Sequence, residues 1–234
     1  MLSPPLSRPR NQLLAALSPA DFRLLQPHLS SISLNLRANL EMPNRQIDDV
    51  YFLDAGIASV VAVHDKNEVV EAGLIGCEGM SGTSILLDSL TSPHRTYMQV
   101  AGAAQRIRTD AFRKAFGASK TLHGALLKYV QVFVTQAMHS AVVNARGKLD
   151  QRLARWLLMA HDRVPGDELP LTHEFLSLML GVRRAGVTEA LHILSRQKLI
   201  TAARGQIVVL NRKGLERKAG DFYGVPEAEY RRLI

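Results

Sequence analysis

Apolar residues recur three and four places apart across residues 118–145, where no proline occurs and only Gly124 interrupts. Leu127, Val130, Val134, Ala137 and Ala141 form one row, and Leu122, Leu126, Tyr129 and Phe133 form a second. This spacing predicts one long helix. Two apolar rows need two partners, so the second row is expected on the chain's own upstream domain. The first, heptad-like row is expected on a second copy of the chain. Upstream, residues 32–107 carry short β-type runs: SISLNL, VYFLDAG, ASVVAV, VVEAGLIG and RTYMQVAG. They are separated by the turn signals Asn44, Gly56, Asp65-Lys66-Asn67 and the glycines at 79 and 82. This predicts a compact antiparallel barrel or jelly roll. The first 30 residues are expected to be a tail followed by short helices, with Ser18-Pro19 marking a helix start.

Downstream, LTHEFLSLMLGVRRAGVTEALHIL (171–194) predicts two short amphipathic helices joined by a tight turn at Gly181. Leu171, Phe175, Leu178 and Met179 are expected on the inner face of the first helix. Val187, Ala190, Leu191 and Leu194 are expected inside on the second. That leaves Arg184, Ala185, Thr188, Glu189 and His192 facing outward, with Arg183 at the helix start, where such side chains reach a DNA major groove. Glu189 has an alternative reading as the partner of a nearby arginine. The runs 200–203 and 206–210 flank Arg204-Gly205 and read as a β-hairpin, the wing of a winged helix.

The fold class expected is therefore α+β. It comprises a β jelly-roll sensor domain (1–117), a dimerisation helix (118–145) and a winged helix-turn-helix domain (146–234). Charge supports the division. Residues 146–234 hold 16 Lys+Arg against 10 Asp+Glu, and the rest 13 against 11, so six of the eight excess positive charges lie in the last part. Such a surface neutralises phosphates and releases counterions. One cysteine, Cys77, excludes an intramolecular disulfide framework and any all-cysteine cluster within the chain. In an apolar strand pattern it reads as a small core residue rather than a redox switch. No apolar run reaches the ~20 residues that span a bilayer, and prolines interrupt the first residues, so a cytoplasmic protein is expected.

Catalysis finds no support. His173-Glu174 lacks the second histidine of H-E-x-x-H, and His161-Asp162 has no partners at ligand spacing. GCEGMSG (76–82) is neither a P-loop nor a dinucleotide fingerprint. His28, His64, His94, His123 and His139 are isolated, so no metal or haem is expected.

The order of β domain, long helix and winged helix-turn-helix resembles the Crp/Fnr family of bacterial transcription regulators. The most specific match is LTHEFLSLMLGVRRAGVTEALHILSRQKLI. It is similar to the family's L-T-x-x-x-L-A-x-x-L-G-V-S-R-x-T-V-x-R-x-L-x-x-L-x-x-x-G-L-I. RLARWLL (152–158) and the MQVAG run (98–102) match more weakly. The resemblance implies a homodimer reading palindromic double-stranded DNA and touching RNA polymerase. It gives DNA-contacting roles to Arg183, Arg184, Ala185, Thr188, Glu189, Thr172 and Arg204. Arg184 holds the family's arginine position. Ala185 stands where many members have glutamate and Glu189 where many have arginine, so the operator is expected to differ. Family members that bind cyclic AMP use F-G-E followed by R-[ST]-A. Here Gly82, Thr83, Arg95 and Thr96 are the candidate effector-binding residues, the glutamate is missing, and Ala137-Met138 replaces hydroxyl residues. The expectation is no cofactor, with an effector other than cyclic AMP or none.

Overall fold

A computed structural model describes residues 9–65 and 68–234, the side chains at 63–65, 68 and 69 excepted. The tail through residue 8, the turn residues Lys66 and Asn67 and the side chain of His64 lie outside the described residues. Helices α1 (Gln12–Ala16) and α2 (Pro19–Leu25) lead in. Ser18 starts α2 as expected, its Oγ accepting from the Asp21 N–H at 3.1 Å.

Strands β1 (Ser30–Leu34), β2 (Asn39–Glu41), β3 (Asp49–Asp65), β4 (Glu68–Ile75) and β5 (Arg95–Arg108) form one antiparallel sheet, interrupted by the short helix α3 (Thr83–Leu86). The order is β1-β5-β3-β4, with β2 also on β5. The sequence places a turn at Gly56 between two runs. Both runs instead belong to the single 17-residue β3, whose register against β5 shifts repeatedly between Leu53 and Ala58. Gly56 sits there at φ 89°, and a Cβ on it would lie 2.6 Å from the Val100 carbonyl oxygen. Only glycine fits this bulge, which bends the strand without ending it.

The helical segment divides in two, α4 (Thr109–Ala118) and α5 (Lys120–Arg146), so the long helix starts two residues later than expected. Ser119 is extended at φ −134°, and its Oγ accepts from the Leu122 N–H at 3.2 Å, capping α5. Leu122, Leu126 and Tyr129 are buried against the β domain, with Phe133 packed beside them. Further along, the Gln136 amide accepts from Leu74 N–H at 2.6 Å and donates to Leu74 C=O at 3.1 Å, pairing with the edge strand β4.

The C-terminal part contains α6 (Leu149–His161), β6 (Glu168–Leu169), α7 (His173–Leu180), α8 (Arg184–Arg196), β7 (Ile200–Ala203), β8 (Gln206–Val209), α9 (Arg212–Ala219) and α10 (Val225–Leu233). Its small sheet has the order β6-β8-β7. The core does not divide at residue 146. Ile57, Val61 and Leu74 of the β domain pack into one cluster with Trp156, Leu157, Met179 and Leu191. Each large side chain so buried contributes about 1.5–3 kcal/mol. Within this junction the Glu71 carboxyl accepts from Ser59 Oγ at 2.7 Å and from the Trp156 indole N–H at 2.6 Å. Burial pushes that carboxyl up to about 7, against the pull of these two donors.

Candidate nucleic-acid interface

Helix α7 begins with a strong local signal. Thr172 Oγ1 accepts from the Phe175 N–H at 3.1 Å, and Glu174 stands in the first turn. Its inner face is Leu176, Met179 and Leu180, while Leu178, expected inside, is 43% exposed. Phe175 is half-buried edge-on to Trp156, with ring centroids 5.5 Å apart. The shift follows from composition: five of the eight residues in HEFLSLML are large and apolar, so the sequence does not say which of them face inward. Gly181 ends the helix in the left-handed conformation at φ 60°. The Arg152 guanidinium on α6 donates to the Leu180 carbonyl, tying this turn to the domain's first helix.

Val187, Ala190, Leu191 and Leu194 bury the inner face of α8. Gly186 lets the helix approach α6, since a Cβ there would lie 3.1 Å from Leu149 Cδ2. Arg183, Arg184, Ala185, Glu189 and His192 are exposed on one surface, together with Arg196. Thr188 is half-buried, with its hydroxyl 3.1 Å from His173 Nδ1 and 3.2 Å from the Arg184 carbonyl. That bridge holds the starts of α7 and α8 together. Glu189 makes no ion pair with an arginine among the described residues.

The start of α8 opposes ordinary helix design. Arg183 occupies the cap position without a side-chain cap bond, Arg184 follows, and no acidic residue lies in the first turn. Two cations at the positive end of a helix dipole each cost about 0.3–1 kcal/mol unless an anion is present. Ion pairs elsewhere in this half engage Arg163, Arg212, Lys218 and Arg232. Among the described residues none engages Arg183, Arg184 or Arg204. Arg204 lies at the exposed tip of the β7–β8 hairpin, where Gly205 turns the chain at φ 78°. Gln206 Nε2, next to the turn, donates to Glu168 Oε2 at 2.7 Å and steadies the tip end of that hairpin against β6.

The four candidate effector residues divide. Gly82 caps α3 at φ 75°, with Thr83 next to it, and the Gly82 N–H donates to Glu41 Oε1 at 2.8 Å. Thr96 is buried and pairs in register with Glu41. Arg95 turns to the opposite face, as neighbours on a strand must. There its Nε donates to Asn39 Oδ1 at 2.8 Å, and its guanidinium lies 4.7 Å from the centre of the Tyr97 ring. Glu41 is buried, and burial raises its carboxyl above the ordinary carboxylate range. It was not found in the sequence. Its only signal is an acidic residue in the three-residue strand NLE, and its partners lie 41 and 55 residues further on. Ser81, in GCEGMSG, accepts from the Tyr51 N–H at 3.1 Å and is fully buried. Cys77 is half-buried, and burial together with Glu78 pushes its thiol up, away from the reactive thiolate.

On α5, Leu127 and Val130 lie partly against the chain's own core. Beyond them Val134, Met138 and Val142 are 41%, 66% and 52% exposed, with Ala141 beside them. Met138 and Val142 were not in the row read from the sequence. No helix among the described residues is long and apolar enough to cross a membrane.

Residues 151–218 match the family model of the Crp-like helix-turn-helix domain. No curated protein sequence matches the chain. The fold is similar to that of a putative transcriptional regulator of the Crp/Fnr family from Eubacterium rectale, at 18% identity. That match covers 90% of this chain and 98% of the other, with TM-score 0.70. A CRP-family transcriptional regulator from Thermus thermophilus is 19% identical over 81% and 97% of the two chains, with TM-score 0.66. The c-di-GMP-responsive global regulator CLP of Xanthomonas campestris is 18% identical over 82% and 99%, with TM-score 0.65.

Proposed function

We propose that this chain, whose residues 151–218 form a Crp-like helix-turn-helix domain and whose fold is that of Crp/Fnr regulators, is a sequence-specific DNA-binding transcription regulator. The observation that carries this reading is the start of α8. Arg183 and Arg184 stand exposed at a helix N-terminus without an acidic neighbour in the first turn. A phosphate or a guanine edge supplies the missing negative charge. Ala185 offers apolar contact to a thymine methyl, and Glu189 accepts from cytosine N4. Thr188 serves the helix pair through His173, so its part in recognition is to position α8. Thr172 keeps a hydroxyl proton to donate while capping α7. Arg204 reaches the backbone beside the site.

The exposed row Val134, Met138, Ala141 and Val142 supports a homodimer through α5, and a two-fold dimer calls for a palindromic operator. A regulator of this kind works through RNA polymerase. Glu41 already meets the Gly82 N–H and Arg95 faces away, so a cyclic nucleotide has no assembled phosphate site here. The β domain answers to another ligand or to none.

Selection of bound sites from a random double-stranded pool, followed by sequencing, tests the reading. The expected result is a two-fold symmetric motif with half-sites about 10 base pairs apart, centre to centre. Binding without any sequence preference, or no binding, overturns it.

A further inference from the structure

One carboxyl bridges the β domain and the DNA-binding domain inside their shared apolar cluster. Glu71, on β4, accepts from Ser59 Oγ of β3 at 2.7 Å and from the Trp156 indole N–H of α6 at 2.6 Å. All three residues are buried, and Trp156 belongs to the cluster that takes in Ile57, Val61 and Leu74 from the β side. Helix α7 reaches the same sheet. Gln99 Nε2 of β5 donates to Met179 Sδ at 3.4 Å, and a Cβ on Gly181 would stand 3.9 Å from Val70 of β4.

The charged and titratable groups that act on this carboxyl are few. Arg155 lies on α6, Arg163 follows the end of that helix, and β5 brings the Tyr97 phenol. Both arginines are bonded elsewhere, Arg163 to Glu78 at 2.8 Å and Arg155 to Ser140 Oγ of α5 at 3.3 Å, and Glu227 of α10 acts on both. From α7, Glu174 is exposed and His173 turns to Thr188, 3.1 Å away. Among the described residues Glu71 has no ion pair, and its side-chain partners are neutral.

A protonated carboxyl suits this place. Its carbonyl oxygen keeps the indole N–H, and its hydroxyl donates to Ser59 Oγ, which serine can accept. A carboxylate keeps both bonds as an acceptor, but it gives up water among apolar side chains for neutral donors alone. Parting the two domains returns that water. We propose that Glu71 is a proton-controlled latch: with its carboxyl protonated the DNA-binding domain stays docked on the sheet, and loss of the proton releases Trp156 and parts the two domains.

Burial raises this carboxyl to about 7, against an ordinary 4.5 once hydrated. Docking is therefore favoured fully below the ordinary value and loses that advantage as pH rises through 7. The ratio of parted to docked molecules should rise about thirtyfold between pH 5.5 and 8.5. That parting alters DNA binding rests on the function proposed above. The latch does not, so the two fail separately.

Trp156 is the only tryptophan of the chain, so its fluorescence reports the latch directly. Acrylamide quenching of the full-length chain is measured from pH 5.5 to 8.5 at constant ionic strength, with far-UV circular dichroism to confirm that the chain stays folded. The quenching constant is expected to rise at least about twofold with pH. Glu71→Gln, whose amide reproduces the donor and acceptor of the protonated acid, should hold it at the low value throughout. Quenching that is flat or falls with pH in the wild type overturns the proposal, whether or not the variant folds. So does an equal rise in Glu71→Gln.

Discussion

At the start of α3 the Gly82 N–H is met from within the chain by Glu41, whereas at the start of α8 two arginines crowd a helix end that no carboxylate approaches. Both places are suited to negative charge. In the β domain the charge is resident and buried, and the structure is complete by itself. In the DNA-binding domain it is missing, and the start of α8 lacks what its neighbour α7 has, a Thr172 cap and Glu174 in the first turn. On the function proposed above, the difference marks the start of α8 as the place for a bound anion. A fold satisfies its own polar groups where nothing is to be bound and leaves them open where something is. The domain junction follows the first pattern, with Glu71 as a second internal carboxyl between Ser59 and Trp156.

The broadest way to test the internal carboxyls is pH. Glu71 has a folded-state value of about 7, above its ordinary 4.5, so the folded chain holds a proton that the unfolded chain releases. Its stabilising contribution is complete below the ordinary value and is lost as pH rises towards and through 7. The loss is on the order of 3 kcal/mol at most. Glu41 shifts in the same direction and adds to the slope. Denaturant unfolding between pH 4.5 and 8.5 should show stability falling with pH and a flatter curve for Glu71→Gln. A profile that rises with pH would break the comparison.

Next in size, Glu41→Ala leaves the buried Gly82 N–H without its acceptor and should lower unfolding free energy by about 1–3 kcal/mol. Glu41→Gln should restore most of it, because an amide oxygen serves the same donor. Equal stability of wild type and Glu41→Ala would show that the cradle is not held by this contact. At the open site, Arg184→Ala should reduce operator affinity by about 1–3 kcal/mol if the guanidinium reads a guanine. Fluorescence anisotropy on matched and base-substituted operators separates the roles, since a uniform loss on every sequence assigns Arg184 to phosphate alone.

The smallest effect is the most pointed. Arg183→Asp installs a helix cap where a cation now stands, and should raise stability by roughly 0.5–1 kcal/mol while weakening DNA binding. Thermal unfolding and anisotropy on one preparation read both quantities. A variant gaining in both would contradict the idea that this helix start is kept imperfect for its ligand.

The inner stripe of α8 was legible because 13 residues at 3.6 per turn fix the phase of Val187, Ala190, Leu191 and Leu194. In α7 the same reasoning misplaced Leu178, since an eight-residue helix crowded with leucine and methionine has no marked polar face. Gly56 gave a turn signal because glycine between two β-type runs serves a bend and a bulge alike. Which one forms is decided by Val100 and Ala101 on β5, more than 40 residues away. The division between Gly82 and Arg95 was hidden for a similar reason. A motif lists neighbours in order, but the faces they take follow strand register, and the plug comes from β2. On α5 the exposed apolar row includes Met138 and Val142, which the spacing read from the sequence left out, because the β domain covers only the first half of the helix on that side.

Gln136 behaves as a one-residue strand laid against β4, donating to and accepting from Leu74 as a paired backbone would. It therefore closes part of a sheet edge that would otherwise invite another chain. It also acts as a pin. Sliding α5 by one turn, about 5.4 Å, would break both bonds and strand two buried backbone groups, whereas swinging the helix about this point keeps them. On this geometry residue 136 is the fixed point about which α5 could swing relative to the β domain.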